Sequence, residues 1–545
     1  MNEAKLEALL KRAANARTKR DAFRALMTDI NKFAMPERDS WSSYGLGEDR
    51  QAEVFDSTAV VATGRFANRL QQALFPPQQR WAQLDLPPEQ PDDNPARVAR
   101  GALQQATEIL FRHIHASNFD QVVNEWGMDL AGGAGAMMVE NGRLATRRSG
   151  APLLRFQAVT SGQIAFDEGP FGAVEGIFND QALAARLIRR TYPDITDLPQ
   201  ALADAEKGDP EREIKLLQAT VYEHETADWR LYLVHEGSKA VLVERSYRTN
   251  PWAITRWAKA PGEVYGRGPL ATALPDIRTL NKLVELALVQ ASFEVTPAFT
   301  GVDDGVLNPD TVRIAPGVII PVRSNGGSLG PSLAALPMAG NYRLSESLAD
   351  RLRSNVRLVM FDDPLPPEVK SNVSATEIQE RIRRFQADTG AFGRLYTDAV
   401  VPIILRCVDI LDEAGAFAGI PALADLLDVL KDDLVRVQPT SPLAQAQNQA
   451  DADAVLGVVG SLASLGRPGE AMLRHAVSLK RAGPFVARRA GVREELIPTD
   501  EELKAEDEAA AKAQQEEALL KSPVVGQAVG NVLPAIVGGQ QGQAA

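Results

Sequence analysis

The central part of the chain alternates long apolar-polar periodic stretches with short irregular ones, and this pattern predicts three helices. Apolar residues recur at helical spacing over 270–293 and again over 342–361. A third, longer helix is predicted to start at the capping box Ser374-Ala375-Thr376-Glu377, in which side chains satisfy free backbone amides. Between the first two helices, 295–338 is rich in Gly and Pro and contains strand-like runs.

The first of these helices is apolar on two nearly opposite faces, and the second is apolar on one face and charged on the other. A helix that is apolar on two faces is buried on two sides. It is therefore either a core helix of a large domain or a helix between neighbouring subunits. On a helical wheel, one apolar face of the first helix carries Ile277, Leu280, Val284 and Leu288, and the other carries Leu286, Val289 and Phe293. The apolar face of the second helix carries Leu344, Leu348, Leu352 and Val359. Its charged face carries Arg343, Glu346, Asp350, Arg353 and Arg357.

The first half of the chain is helical before it becomes rich in β-structure. Helices are predicted over 3–34, 53–74, 96–117 and 119–130, with Asp56 or Ser57 as the cap of the second stretch. After residue 132, short strand-like runs follow, with a helix over 181–192 and an antiparallel meander over 215–245. The fold class expected from this order is α+β and predominantly helical. Two long helices around a small β insert, followed by a very long helix, favour a channel wall built from many copies over an enzyme scaffold.

Composition narrows the function further. A chain of 545 residues needs two or more packed units, and its net charge of −12 disfavours broad adhesion to nucleic acid. The single cysteine, Cys407, excludes a disulfide framework and favours assembly in a reducing compartment. The charged N-terminus has no apolar signal core. The best membrane-span candidate, 399–411, is short and contains Arg406 and Asp409, so no membrane partner is expected.

Two motifs suggest chemistry. Gly326-x-Ser328-x-Gly330 matches the nucleophile elbow of serine hydrolases, but the surrounding Gly and Pro indicate a turn, and only His475 follows as a general base. An intracellular serine hydrolase using Ser328 is therefore the alternative function. Gly266-x-Gly268 resembles a dinucleotide fingerprint, but no βαβ unit surrounds it. The chain has neither a P-loop nor zinc-ligand spacing, so no enzyme activity, cofactor or metal is expected.

Several segments in a fixed order resemble the portal, or head-to-tail connector, proteins of short-tailed bacteriophages (podoviruses). The resemblance spans roughly residues 5–480. The ordered set is fairly specific, although no single motif is diagnostic. It consists of Phe55-Asp56-Ser57-Thr58-Ala59 leading to Leu74-Phe75-Pro76-Pro77, Asn118-Phe119 through Val139, Tyr265-Gly266-Arg267-Gly268-Pro269 followed by Leu280-Asn281, and Ser374-Ala375-Thr376-Glu377-Ile378.

The resemblance implies a portal fold that assembles as a dodecameric ring around a central DNA channel. Its regions map onto the chain as the wing at 1–269 and 374–420, the stem helices at 270–294 and 339–360, the clip at 295–338, the channel loop at 361–373 and the crown at about 421–498. An acidic, then low-complexity tail follows at 499–545.

The resemblance also implies a structural role at one capsid vertex, through which the genome is packaged and ejected. The partners it implies are other copies of the chain, double-stranded DNA, a terminase, a tail adaptor, and the major capsid and scaffolding proteins, with assembly in the host cytoplasm. The DNA-facing candidates are Asp362, Asp363, Lys370, Ser371, Asn372, Arg353 and Arg357. The subunit-interface candidates are Ile277, Leu280, Val284, Leu286, Val289 and Phe293.

Overall fold

The structure, a computed structural model, describes most of the first 302 residues and shorter segments after them. The chain divides into two compact units. The first unit comprises 1–82, 108–417 and 441–443, and the second comprises 83–107, 418–440 and 444–545. The described residues are 2–42, 47–86, 94–143, 151–297, 299–302, 318–322, 333–335, 342–362, 395–421, 423, 436–440, 442–466, 478–489, 492, 496–497, 504, 509 and 512–513.

Helices and strands follow one another in the mixed, mostly helical order that the sequence predicts. The elements up to residue 208 are α1 (Glu3–Asp21), α2 (Arg24–Ala34), α3 (Thr58–Leu74), β1 (Ala82–Asp85), α4 (Asn94–His115), α5 (Phe119–Gly132), β2 (Ala134–Asn141), β3 (Leu154–Val159), β4 (Ile164–Glu168), β5 (Val174–Ala184), α6 (Ala185–Thr191) and α7 (Gln200–Gly208). The later elements are β6 (Glu213–Glu223), β7 (Asp228–His235), β8 (Ala240–Tyr247), β9 (Trp252–Arg256), α8 (Pro269–Val295), β10 (Phe299–Val302), β11 (Ile319–Val322), β12 (Leu333–Ala335), α9 (Tyr342–Val359), α10 (Tyr396–Glu413), β13 (Arg436–Pro439), α11 (Pro442–Ala463) and α12 (Leu479–Arg489).

The largest sheet of the first unit has five antiparallel strands in the order β4-β5-β6-β7-β8. Different helices cover its two faces, because alternate residues of a strand point to opposite sides. Leu217 and Ala219 pack with the apolar side of α1, whereas Ile214 and Leu216 pack with α6 and α7. A bidentate contact between Arg12 and Asp167, at 2.5 and 2.9 Å, fastens α1 to β4.

A second sheet has three antiparallel strands in the order β3-β2-β9. Asn118, which precedes α5, exchanges two hydrogen bonds of 2.8 and 3.0 Å with the backbone of Phe156 in β3. Large aromatic side chains pack beside this sheet with ring centroids 4.9 to 5.8 Å apart. They are Phe75, Trp81, Phe111, Phe119, Trp126 and Phe156.

Most predicted elements are confirmed, and some differ. Within the range 53–74 that was predicted as helical, the helix itself begins at Thr58, after Ser57, one of the two predicted caps. Residues 181–184 continue strand β5 instead of opening a helix, because they pair with 213–216 of β6. Strands β1, β9 and β13 and helix α7 were not predicted. The start of the third long helix at 374 lies outside the described residues, which include only its later part as α10.

The β insert between α8 and α9 contains three short paired strands. Strand β10 pairs in parallel with β11 and antiparallel with β12.

The second unit contains a pair of short strands. Strand β1 pairs with β13, and Gln438 donates a 3.0 Å hydrogen bond to Asp85 across this pair. Thr107 accepts a hydrogen bond of 3.2 Å from the amide of Leu84.

Candidate functional site

Helices α8 and α9, for which the family resemblance implies the stem region, pack against each other within one chain. Their shared core contains Leu280 of α8 and Ala349 and Leu352 of α9, all buried, with Leu283 and Val284 partly buried beside them. The small side chain of Ala349 lets the two helices approach closely. This pairing uses only one of the two apolar faces of α8.

The other apolar face of α8 is open in the single chain. Leu286 and Val289 are 54% and 48% exposed, and Leu288 is 55% exposed although the wheel places it with Leu280. Val295, at the end of the helix, is 85% exposed. Leu286 and Val289, three residues apart, lie on the same side of the helix, whereas Leu288 and Val295 lie on the opposite side. Exposed apolar side chains that are neighbours mark contact surfaces. We define Leu286 and Val289 as the apolar row of α8.

The other predicted interface residues of α8 differ in how accessible they are. Ile277 and Leu280 are 4% and 2% exposed, so the chain itself already buries them. Val284 and Phe293 are half-buried. Of the six candidates, Leu286 and Val289 therefore remain the most available to another copy.

The buried face of α9 is rotated from the predicted one. The side chains that are buried are Ala349, Leu352, Val356 and Met360. Leu348, which the wheel placed in the core, is 44% exposed, and Leu358 is 64% exposed. The prediction overweighted leucine and overlooked Ala349, whose small size allows close packing. Helix α9 therefore also presents apolar side chains outward.

Asn281 joins α8 to the segment that precedes α3. Its Oδ1 accepts hydrogen bonds from the amides of Phe55 (2.7 Å) and Asp56 (3.2 Å), and its Nδ2 donates to the carbonyl of Glu53 (2.9 Å). The residue is 7% exposed. A side-chain amide with both a donor and an acceptor can satisfy an irregular backbone in this way. These bonds replace the helical ones that 53–56 would otherwise make.

Asp56 extends the same connection to α9. Its carboxylate accepts a 2.9 Å hydrogen bond from the amide of Thr58, at the start of α3, and another of 2.9 Å from Arg353. Burial would raise the pKa of Asp56, but the hydrogen bonds from Thr58 and Arg353 outweigh it and leave the pKa below its ordinary value. The sequence predicted that Arg353 faces DNA; in the structure its guanidinium is committed to Asp56 and Asp350.

The end of α9 is closed by a Schellman motif. The amide of Phe361 donates to the carbonyl of Leu358 (3.1 Å), and that of Asp362 donates to the carbonyl of Arg357 (2.7 Å). Phe361 has a φ of 55°, an unusual value for a bulky residue. Its ring packs 6.3 Å from that of Phe66 and 5.8 Å from that of Trp257, which holds this conformation in place.

Asp362, the last residue of this motif, anchors the end of α9 to α3. Its carboxylate lies 3.1 Å from Arg65 and 3.7 Å from Arg69, and Arg69 also donates to the carbonyl of Phe361. Asp362 is only 2% exposed. The prediction that its charge faces DNA is therefore corrected, because a buried and paired carboxylate cannot repel passing phosphates. We call Asp56, Arg65, Arg69, Asn281, Arg353 and Asp362 the helix junction.

The remaining DNA-facing candidates divide into one that is described and four that are not. Arg357 is exposed on α9, and its contact with DNA stays a prediction. Asp363, Lys370, Ser371 and Asn372 lie outside the described residues.

Glycines at 133, 266 and 268 allow two backbone segments to cross. A Cβ at Gly268 would lie 2.0 Å from the carbonyl oxygen of Ala131, and one at Gly133 would lie 2.1 Å from that of Gly266. The amide of Gly268 donates to the carbonyl of Gly132 across this contact (3.3 Å). Strand β9, which precedes the motif, is antiparallel to β2. The Gly266-x-Gly268 pattern therefore serves backbone packing and not a dinucleotide.

In the part of the chain that the structure describes, no group of three or more His, Cys, Asp or Glu side chains could hold a metal ion. No helix within the same residues is both long and apolar enough to cross a membrane. Ser328 and His475, on which the hydrolase alternative depends, lie outside them.

The sequence analysis missed most of the helix junction as a site. Asp56 was noticed as a candidate helix cap and as part of an ordered motif, Asn281 was noticed only as part of such a motif, and Arg65 and Arg69 were not singled out. One signal was available for Asn281, since it is a polar residue on the buried side of an apolar helix. The arginines gave none, because exposed and anchoring arginines look alike in a sequence.

Comparison with solved structures finds chains from gene transfer agent (GTA) particles. One is from the neck of the empty particle, computed with C6 symmetry, with 11% identity, a TM-score of 0.32 and coverage of 76% of this chain and 89% of that chain. Another is from the native virion, also with 11% identity and a TM-score of 0.32, covering 80% of this chain and 90% of that chain. TM-scores this low carry no argument about the present chain.

Comparison by sequence is more informative. The probable portal protein of Bordetella phage BPP-1 is 23% identical over 492 residues, which cover 84% of this chain and 82% of that protein. The family model for bacteriophage head to tail connecting proteins matches residues 6–497, nearly the whole chain and all of the helix junction. The connector function that the ordered motifs predicted is thereby confirmed, and the chain belongs to the family of bacteriophage head-to-tail connecting proteins.

Proposed function

We propose that the chain forms the portal ring at one capsid vertex of a short-tailed phage, with twelve copies around a channel for double-stranded DNA. The genome would be packaged and later ejected through this channel. The terminase, the tail adaptor, and the major capsid and scaffolding proteins would dock on the ring, which would assemble in the host cytoplasm. The chain itself would provide structure and no catalysis.

The observation that carries this proposal is the exposed apolar surface of the two stem helices. Helix α8 is paired with α9 on one side and leaves its apolar row uncovered on the other. Helix α9 exposes Leu348 and Leu358 on its own outer side. Two different apolar surfaces on one unit suit a head-to-tail contact, which closes into a ring when the rotation between copies allows it.

The charge distribution supports a channel through which DNA moves without being held tightly. The net charge of −12 weakens attraction to phosphate, because non-specific affinity grows with each paired cation. The exposed Arg357 could contact a phosphate transiently. The helix junction would keep the base of the channel loop, proposed at 361–373, fixed on the wing while DNA passes.

The other regional assignments form part of the same proposal. They are 1–269 and 374–420 for the wing, 270–294 and 339–360 for the stem, 295–338 for the clip, 421–498 for the crown and 499–545 for the tail. The two-sheet arrangement with its covering helices supports the wing, and the three short strands β10–β12 between the stem helices support the clip.

The test places a charge in the apolar row of α8. Leu286→Asp and Val289→Asp should each cost several kcal/mol per subunit contact, because an unpaired carboxylate would be buried there (roughly 3 kcal/mol or more). Negative-stain images and light scattering should show closed rings for the parent and smaller species for these variants. Ser292→Asp adds the same charge at an exposed polar position of the same helix and should leave rings intact. Rings formed equally well by Leu286→Asp and Val289→Asp would refute the stem assignment.

A further inference from the structure

Helices α3 and α9 carry an excess of positive charge in a chain that is acidic overall. Together they contain six arginines, two carboxylates and no lysine, and α3 has no Asp or Glu at all. The net charge of the whole chain is −12. Asp56 and Asp362, at the ends of these helices, add two carboxylates, but both are buried in ion pairs with arginines. The exposed surface of the helix pair is therefore positive.

Two ion pairs align α3 with α9. Arg353 of α9 binds Asp56, just before α3, and Arg65 of α3 binds Asp362, just after α9. Nine positions separate Asp56 from Arg65, and nine separate Arg353 from Asp362, which is roughly 13 Å along a helix. The two helices therefore run side by side in the same direction between these contacts.

Arg357 lies on the stretch of α9 between the two ion pairs. It follows Arg353 by four positions, so it lies on the same side of the helix, about 6 Å further along. Arg357 is exposed, and among the described residues no carboxylate pairs with it. On α3, Val61, one turn before Arg65, is also exposed. This side of the helix pair is thus open to solvent.

Arg65 is held by one nitrogen of its guanidinium and is free at the others. Its Nη1 donates to the two carboxylate oxygens of Asp362 at 3.1 and 3.4 Å, while its side chain stays 57% exposed. In the part of the chain that the structure describes, its Nε and Nη2 make no hydrogen bond. These nitrogens form a planar pair of donors that matches phosphate oxygens. Because Asp362 already fixes the side chain, little further entropy is lost when a phosphate binds.

The contact with Asp362 also places Arg65 at the base of the proposed channel loop. That loop is proposed at 361–373, so Asp362 is its second residue. Arg357 precedes the loop by four positions on α9. In the proposed channel, DNA that passes the loop therefore passes these two guanidinium groups.

We propose that Arg65, together with Arg357, contacts the phosphates of double-stranded DNA in the channel. This inference rests on the proposed function and adds to it a DNA-contacting residue on α3, a helix that the sequence did not assign to DNA. Asp362 offsets part of the charge of Arg65, so each contact is weak and DNA is not held in place. Phosphate contacts carry no sequence information, so DNA of any sequence can pass.

The salt dependence of DNA binding by assembled rings tests this contact. Fluorescence anisotropy of a labelled linear duplex of about 30 base pairs is followed between about 50 and 200 mM NaCl. The slope of log K against log salt concentration should become shallower by about 1 or more in Arg65→Gln and in Arg357→Gln, since each phosphate contact contributes about 0.9. Arg190→Gln removes the same charge from an exposed arginine of α6 and should leave the slope unchanged. With a covalently closed circular duplex, which cannot thread a closed ring, all variants should bind like the parent.

Arg65→Lys separates contact with DNA from anchoring of Asp362. Lysine keeps the positive charge, so this variant should keep the slope of the parent, whereas Arg65→Gln should lose part of it. Asp362 retains Arg69 as a partner in both variants, and thermal melts of the dissociated subunits check the fold. Lower melting temperatures without a change in slope would overturn the inference and leave Arg65 as an anchor only. Intact rings that bind no DNA, or unchanged slopes in Arg65→Gln and Arg357→Gln, would also overturn it and leave the ring standing, whereas a parent protein without rings would overturn both proposals.

Discussion

Asn281→Ala is the most informative single change, because this side chain links α8 to the segment before α3. The substitution removes three hydrogen bonds to the backbone, of 2.7, 2.9 and 3.2 Å, and the alanine side chain has no polar group to replace them. Each partner is partly buried, so each lost bond should cost about 1 kcal/mol, giving about 3 kcal/mol in total. The cost should appear locally, at the amides of Phe55 and Asp56.

Amide hydrogen exchange measures this cost where it arises. A local loss of about 3 kcal/mol corresponds to roughly hundredfold faster exchange in peptides that contain residues 54–57. Asn281→Asp keeps the oxygen acceptor, so the amides of Phe55 and Asp56 should stay largely protected while the bond to the carbonyl of Glu53 is lost. Lys282→Ala, at the next and solvent-exposed position of α8, should change exchange less than threefold.

A double-mutant cycle then tests whether the junction acts as one unit. Asn281 and Arg353 hold adjacent atoms of the same segment, one at the amide and the other at the carboxylate of Asp56. Their combined effect should differ from the sum of the single effects by at least about 0.5 kcal/mol. Exchange that changes less than threefold in Asn281→Ala would refute the conclusion that α8 holds residues 53–56.

Substitutions at two buried sites of the first unit, with one control at an open position, make the remaining predictions. Burial raises the pKa of Asp129 to about 6, although Arg38 binds it, so the folded state holds a proton that the unfolded chain releases near pH ~3.9. Stability should therefore rise by about 1.3 kcal/mol as the pH falls from about 7 to 5, and thermal melts of Asp129→Asn should lack this slope. Gly268→Ala should cost about 3 kcal/mol or more, because its Cβ would lie 2.0 Å from the carbonyl oxygen of Ala131. Gly64→Ala, inside α3 with no atom within 4 Å of its Cβ, should instead gain about 0.5–1 kcal/mol, and urea unfolding midpoints would show the opposite signs.

The local spacing of apolar residues was sufficient to predict the long helices and the long β meander. The helices over 270–293 and 342–361 and the meander over 215–245 were predicted within a few residues, since regular spacing of apolar side chains dictates one backbone conformation. The portal family was also identifiable from an ordered set of motifs, and two of these meet in space where Asn281 binds Phe55 and Asp56.

Local periodicity failed where distant pairing competed with it. Residues 181–184 have helix-forming side chains, but Leu183 and Ala184 pair with Ile214 and Glu213 and so remain in a strand. The predicted cap Ser57 is confirmed, but 53–56, which the predicted range included, is not helical, since Asn281, more than 200 positions away, satisfies part of its backbone. Propensity is a preference of a few tenths of a kcal/mol per residue, roughly, and a few tertiary hydrogen bonds exceed it.

The sequence by itself determined the family, the α+β class and the existence of two apolar faces on α8. Only the tertiary structure decided which side chains of those helices remain open, that Asp362 is an anchor, and that Phe171 is fully exposed. The physical reason is that a residue's type sets which interactions are favourable, whereas the neighbours it meets set which of them are made. Leucine is equally apolar at 280 and at 286, but α9 covers only the first.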